Sequence, residues 1–266
     1  MINAWASSNS EQAIEKVEAL LRTMELGLGH PPAPKPDRIT YNTVIKTMGS
    51  YNGDMAPSKA AHLLTRLEKL AQHNPDLYPD VYSYTAVIAA YARSNLDDKA
   101  EKAFEVLKGM IDAFQSGILK ARPTARPFNA ALNSCAFVKD GLKSEAFLIA
   151  VAIMALLKKV AKPDTVTYGT FLRACSSLLP SSDQRRQDVV ESIFREACRK
   201  GLVGNLVLQQ FGFAATPDQY RRLIGLDHSK AVTLDDLPQE WTINVNENTM
   251  KRQVKSKAQS GRAVIL

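Results

Sequence analysis

Residues 35–42 read Lys35-Pro36-Asp37-Arg38-Ile39-Thr40-Tyr41-Asn42, and three variants follow: Pro79-Asp80…Tyr84-Thr85, Pro123-Thr124…Phe128-Asn129 and Pro163-Asp164…Tyr168-Gly169. In every copy the aromatic lies five residues after the proline, and successive prolines are 43, 44 and 40 residues apart. Self-similarity at such a period is the mark of an internal repeat. Proline cannot continue a helix, and an Asp or Thr after it can accept a backbone N–H from the next helix's first turn. Each copy therefore marks a helix start.

Working outward, apolar residues recur at helical spacing after each boundary: Tyr41, Val44, Ile45, Met48; Tyr84, Val87, Ile88, Tyr91; Phe128, Ala131, Leu132, Cys135; and Tyr168, Phe171, Leu172, Cys175. A second helical series follows in each unit, around Leu63–Leu67, Ala103–Leu107, Ala146–Ile153 and Val190–Ala197. The unit is helix, turn, helix. One such pair cannot bury its apolar faces alone, so the expected fold is all-α: tandem antiparallel pairs stacked into a right-handed superhelical solenoid, its inner surface lined by the first helices.

The expected boundaries are a partial unit over 1–37, repeats over 38–80, 81–124, 125–164 and 165–205, a helical cap over 206–225 and an irregular basic tail over 226–266. Met1-Ile2-Asn3-Ala4-Trp5-Ala6 aligns with Val87-Ile88-Ala89-Ala90-Tyr91-Ala92, so the chain is expected to begin inside a first helix of a truncated parent unit. The second helix of the third repeat is the most apolar, consistent with cover on both sides. In the tail, Lys251, Arg252, Lys255, Lys257 and Arg262 read as a solvated segment or as an arm contacting phosphates.

The chain has 266 residues with 34 Lys and Arg against 27 Asp and Glu, a net charge of +7, which suits a polyanionic partner. Three cysteines without a Cys-x-x-Cys spacing argue against a disulfide framework or a zinc site. Cys135 and Cys175 occupy the same place in consecutive units and read as small buried groups. No apolar run reaches the roughly 20 residues a bilayer-spanning helix needs, and no targeting segment is visible.

The Pro-Asp-x-x-Thr/Ser-Tyr-Asn/Thr boundary, with a small residue opening the second helix, resembles the pentatricopeptide repeat family over residues 1–205. Lys35–Asn42 and Lys162–Tyr168 are similar to that family's consensus, although these units run 40 to 44 residues where the family's run near 35. The resemblance implies single-stranded RNA as the partner, with other proteins of an RNA-processing complex, in a mitochondrion or plastid. It also implies one unit per base, through the residue after the first-helix aromatic and the last residue of the unit, with a packer three residues before the first contact.

Carried over residue by residue, the implied base contacts are Asn42 with Asp80, Thr85 with Thr124, Asn129 with Asp164 and Gly169 with Asn205. The implied packers are Ile39, Tyr82, Arg126 and Val166. The partial unit keeps Asp37 without its partner. Asn–Asp pairs resemble uracil-selecting ones, so the expected core is U-N-U. The chemistry is intelligible by itself, since an amide donates and accepts and a planar or apolar side chain sandwiches a base. The plainer reading makes the aspartates helix caps and the asparagines early-helix polar residues.

No enzyme is expected, and no cofactor or metal. A zinc deaminase needs His-x-Glu and a later Cys-x-x-Cys, and the contexts of His30, His62, His73 and His228 supply neither. Asp235-Asp236 is an isolated acidic pair suited to a turn or cap, and no Gly-rich phosphate loop is present. The rival class is a protein-interaction scaffold of the tetratricopeptide kind, which would show an apolar or acid-clamping groove instead of a polar row formed by Asn42, Thr85 and Asn129.

Overall fold

A computed structural model describes residues 5, 10–28, 34–50, 55–225 and 232–245. Among these residues the chain is all-helical, with eleven α-helices and no strand. It divides into two compact units, Met1–Ala161 and Lys162–Leu266.

The first unit holds α1 (Glu11–Leu26), α2 (Arg38–Ser50), α3 (Ala56–Ala71), α4 (Val81–Arg93), α5 (Lys99–Gln115), α6 (Ala125–Cys135) and α7 (Lys143–Val160). Within it the helices pack as tandem pairs. Each of α2, α4 and α6 lies against the second helix of its own pair, and α2 packs on α4 and α4 on α6. The apolar series read from the sequence are the core: Tyr41, Val44, Ile45, Leu67, Val87, Ile88, Leu107, Phe128 and Leu132 are all sealed from solvent. Each such side chain contributes about 1.5–3 kcal/mol on burial.

Close approach of α2 to α4 depends on Gly49, where an added Cβ would stand 2.8 Å from Ala90 Cβ. Arg93 then donates from Nη2 and Nε to the Gly49 carbonyl oxygen at 2.5 and 3.2 Å, satisfying an acceptor near the end of α2.

A repeated polar contact ties these pairs together. Tyr41 Oη donates to Glu25 Oε1 at 2.7 Å and Tyr84 Oη to Glu68 Oε1 at 2.9 Å, each reaching 16 residues back to the preceding second helix. Glu25 also accepts from Arg66 at 2.7 Å. Burial first, then the adjacent carboxylate, holds both phenols well above the ordinary tyrosine range. Burial also raises the Glu68 carboxyl, against the lowering effect of the Tyr84 hydrogen bond. The third repeat carries Phe128 at this position and lacks the hydroxyl.

Helix α5 begins at Lys99, with Asp98 at its N-cap making no side-chain cap bond. Helix α7 is apolar all round but not covered on both sides: Leu148 is 65% and Val151 37% exposed, and Ala152 and Ala155 are exposed beside them. Residues 51–54, between the two helical series of the first repeat, and the expected truncated first helix, except for Trp5, lie outside the described residues.

The second unit holds α8 (Thr165–Leu178), α9 (Gln184–Arg199), α10 (Asn205–Ala214) and α11 (Pro217–Ile224). Helix α10 packs along α8 as α4 does along α2, so the expected cap is a further helix pair. Val203, 40 residues after Pro163 and fully buried, stands where a boundary proline would, and Gly204 stands where Asp164 would.

Phe211 stacks on Phe194 with ring centroids 3.7 Å apart and on Tyr220 at 5.7 Å, and Trp241 meets Phe194 edge-on at 6.0 Å. The buried Arg186 guanidinium donates to the carbonyls of Leu179, Ala214 and Phe213 at 2.7, 3.0 and 2.8 Å, closing the ends of α8 and α10.

Residues 232–245, expected within the tail, run back along this core through two short 3₁₀ turns. Val203 N donates to Trp241 O and Asn244 N to Gly201 O, each at 2.8 Å. The basic residues 251–262 lie outside the described residues. All three cysteines are buried, and burial pushes the Cys135 and Cys175 thiols up to about 12.

Candidate nucleic-acid interface

Every boundary aspartate caps the helix that follows it. Asp37 Oδ1 accepts from Thr40 N and Thr40 Oγ1, both at 2.7 Å, and these bonds, the hydroxyl's first, hold its carboxyl below the usual range. Asp80 Oδ1 accepts from Tyr82 N and Ser83 N at 3.0 Å, while Asp80 N donates to Ser83 Oγ at 3.1 Å, a complete capping box. Asp164 and Thr167 repeat it at the start of α8. The plainer reading of the aspartates therefore holds. Thr124, exposed and extended before α6, makes no side-chain cap bond.

At the Asp80 boundary the cap does more. Asn42, half-buried on α2, donates from Nδ2 to Asp80 Oδ1 at 3.1 Å, and its Oδ1 accepts from Ser83 Oγ at 2.5 Å. Arg38 Nε lies 3.1 Å from Asp80 Oδ2, an ion pair without the alignment of a hydrogen bond. A four-residue network thus joins the first turns of α2 and α4, and the amide of Asn42 has one orientation in it. Asp80 Oδ1 is shared among the two cap N–H groups and Asn42 Nδ2, whereas Asn42 keeps a second N–H and a second lone pair on its oxygen.

The expected packers of this unit stand in the open. Ile39, Tyr82 and Arg126 each occupy the second residue of their helix, α2, α4 and α6, and all are exposed, Ile39 by 67% and Tyr82 by 63%. Since α2, α4 and α6 pack in sequence, these three side chains mark equivalent points on neighbouring helices. Thr85, half-buried, turns its hydroxyl onto Val81 O of its own helix at 2.5 Å, so the structure does not bring it together with Thr124. Asn129 is half-buried on α6, and its expected partner Asp164 belongs to the second unit; the geometry within either unit does not bear on that pair.

At the fourth expected pair the packing is different. Gly169 is buried, and a Cβ there would stand 2.5 Å from Leu206 Cγ, so the glycine serves the close approach of α10 to α8. Asn205 is the first residue of α10, one place beyond the position equivalent to Asp80 and Asp164, which is Gly204. A Cβ on Gly204 would meet Thr165 Cγ2 at 2.8 Å and Val245 Cγ1 at 3.2 Å. Val166, its expected packer, is half-buried.

Ser83 and Arg38 belong to the network and were not singled out as site residues from the sequence. Ser83 carried a signal, since Asp80 with a hydroxyl three residues on repeats the Asp37–Thr40 and Asp164–Thr167 spacing. Among the described residues no three His, Cys, Asp or Glu side chains gather to hold a metal ion, and no helix is long and apolar enough to cross a membrane. Comparison with known proteins returns no matching family model, no matching curated protein and no matching solved structure.

Proposed function

We propose that this chain binds single-stranded RNA in the manner of a pentatricopeptide-like solenoid, in organellar RNA processing, stability or translation, with its first helices lining the bound strand. The observation that carries the reading is the Asn42 amide, held by Asp80 and Ser83 with hydrogen-bonding capacity to spare, beside the exposed side chains of Ile39 and Tyr82. A reader of base edges needs such an amide fixed in one orientation, and it needs flat or apolar flanks on which a splayed base can stack. Asn42 is then the contact residue, and Asp80 orients it while capping α4. The positive net charge favours the phosphate backbone.

The same reading assigns Asn129 of the third repeat to a second uracil, for a preferred U-N-U core. The test is a titration of labelled RNA of that sequence, its purine-substituted versions and the corresponding duplex. Replacing the first uracil by a purine is expected to weaken binding roughly 5–150-fold, by analogy with base-edge discrimination of about 1–3 kcal/mol elsewhere. Asn42→Ala should abolish that preference. Asn129→Thr should move the third position towards G and leave the first unchanged. Equal affinity for duplex and single strand overturns the proposal.

A further inference from the structure

Helix α7 has two apolar faces, and only one of them is used. Ala146, Ala150, Ile153, Met154 and Leu157 face the core of the first unit. On the opposite side Leu148, Val151, Ala152 and Ala155, at spacings of three and four residues, make an exposed stripe along the helix. A helix apolar on all sides belongs in a buried setting, and a surface of this kind marks an interaction site. We infer that this stripe is a self-association surface, which pairs α7 with α7 of a second copy of the chain in antiparallel fashion about a twofold axis at Ala152.

Charge chooses the occupant and its direction. Glu145 at the start of the helix is exposed, and Asp98 and Glu101 border the same small cleft; with Asp97 paired to Lys139 and Asp140 to Lys143, these three carboxylates leave this end acidic. At the other end Lys158 and Lys159 are exposed and basic. An isologous contact places each residue opposite its mirror position. With the axis at Ala152, Glu145 and Lys159 lie equal distances either side and meet each other's counterparts, acidic end on basic end, twice. A parallel pairing would set like charges together.

The small side chains of Ala152 and Ala155 let the helices approach, with Leu148 flanking them. One helical stripe is smaller than the roughly 1,200–2,000 Å² buried in stable interfaces, so the dimer is expected to be weak and concentration-dependent.

Sedimentation of the full chain at rising concentration tests this. The apparent mass should climb from the 29.3 kDa of the monomer towards twice that value. Ala152→Glu, at an exposed position, should hold the protein monomeric with its thermal midpoint unchanged. Glu145→Lys and Lys159→Glu should each weaken association severalfold, and the double variant should restore it.

Ala152→Cys sharpens the geometry, because residue 152 faces itself across the axis and the three native thiols are buried. With oxidised glutathione, two such thiols should join in one intermolecular disulfide and release two molecules of reduced glutathione. A wild-type chain that stays monomeric at every concentration, or a dimer indifferent to these α7 variants, overturns the inference.

Discussion

The boundary at Asp80 and the boundary at Gly204 carry the same relation of helices and opposite fittings. At the first, α4 lies along α2, and the junction is polar: Arg38, Asn42, Asp80 and Ser83 share hydrogen bonds and an ion pair, with Ile39 and Tyr82 exposed beside them. At the second, α10 lies along α8, and the junction is apolar: Leu206 covers Gly169 and Val245 covers Gly204. Glycine at the position of Asn42 lets a neighbouring leucine fill the place of an amide. Repetition of a fold thus does not imply repetition of its polar junctions.

The largest expected effect attacks the support of the closed boundary. Phe211 on α10 is stacked between Phe194 and Tyr220, and Phe211→Ala should cost about 3–5 kcal/mol in chemical unfolding. If the loss is near zero, the aromatic stack does not hold α10 in place, and the contrast between the boundaries loses its cause.

Converting the closed boundary towards the open one comes next. Gly169→Asn restores the residue type found at the Asp80 boundary but drives its Cβ into Leu206. It should destabilise the chain by about 1–3 kcal/mol through overpacking, and add no base preference in an RNA selection. A stable variant with a new preference would show the second boundary to be a latent reading site.

Alkali distinguishes the units more gently. The Tyr168 phenol donates to Glu196 at 3.0 Å and is pushed up to about 12, by burial first. In the unfolded chain it ionises near 10, so the folded state holds the extra proton between these values. Its contribution is complete below pH 10 and is lost as pH rises to about 12, on the order of 1 kcal/mol once partial solvent access is allowed for. Thermal midpoints measured across that range should fall for the wild type and flatten in part for Tyr168→Phe. Tyr41 and Tyr84, raised further, should keep the first unit responding at still higher pH.

The smallest expected effect on stability has the greatest bearing on function. Tyr82→Ala at the open boundary removes an exposed side chain and should change unfolding free energy by less than about 0.5 kcal/mol. RNA affinity should nevertheless fall by the roughly 1–3 kcal/mol typical of a stacked base. A thermal shift as large as that of a core variant would make Tyr82 a structural residue.

Much of the architecture was legible because proline, aspartate and helical apolar spacing act locally. The starts of α4 and α8 follow from Asp80 and Asp164, and the buried faces of α2, α4 and α6 follow from period alone. The final helix pair, expected as a helical cap over 206–225, could not be read as a further repeat because Val203 and Gly204 fill the proline and aspartate places by burial and close packing, neither of which has a fixed residue type. The stripe on α7 escaped for a related reason: an all-apolar helix has no period to say which face is covered. The hydrogen bond between Asn42 and Asp80 joins two residues that the motif singles out for another reason, while the burial of Gly169 depends on Leu206, 37 residues away, which no local pattern names.

The hydroxyls of Tyr41 and Tyr84 look backwards along the chain, each to a glutamate 16 residues earlier. During synthesis that glutamate always leaves the ribosome before its tyrosine. Each new first helix therefore emerges to find its acceptor already present on the preceding helix, and the early repeats can settle one after another in the direction of translation. Tyr168 reverses the order, since Glu196 follows it by 28 residues. The second unit must wait for α9 before its tyrosine has a partner, so its first helix cannot settle in the same stepwise order.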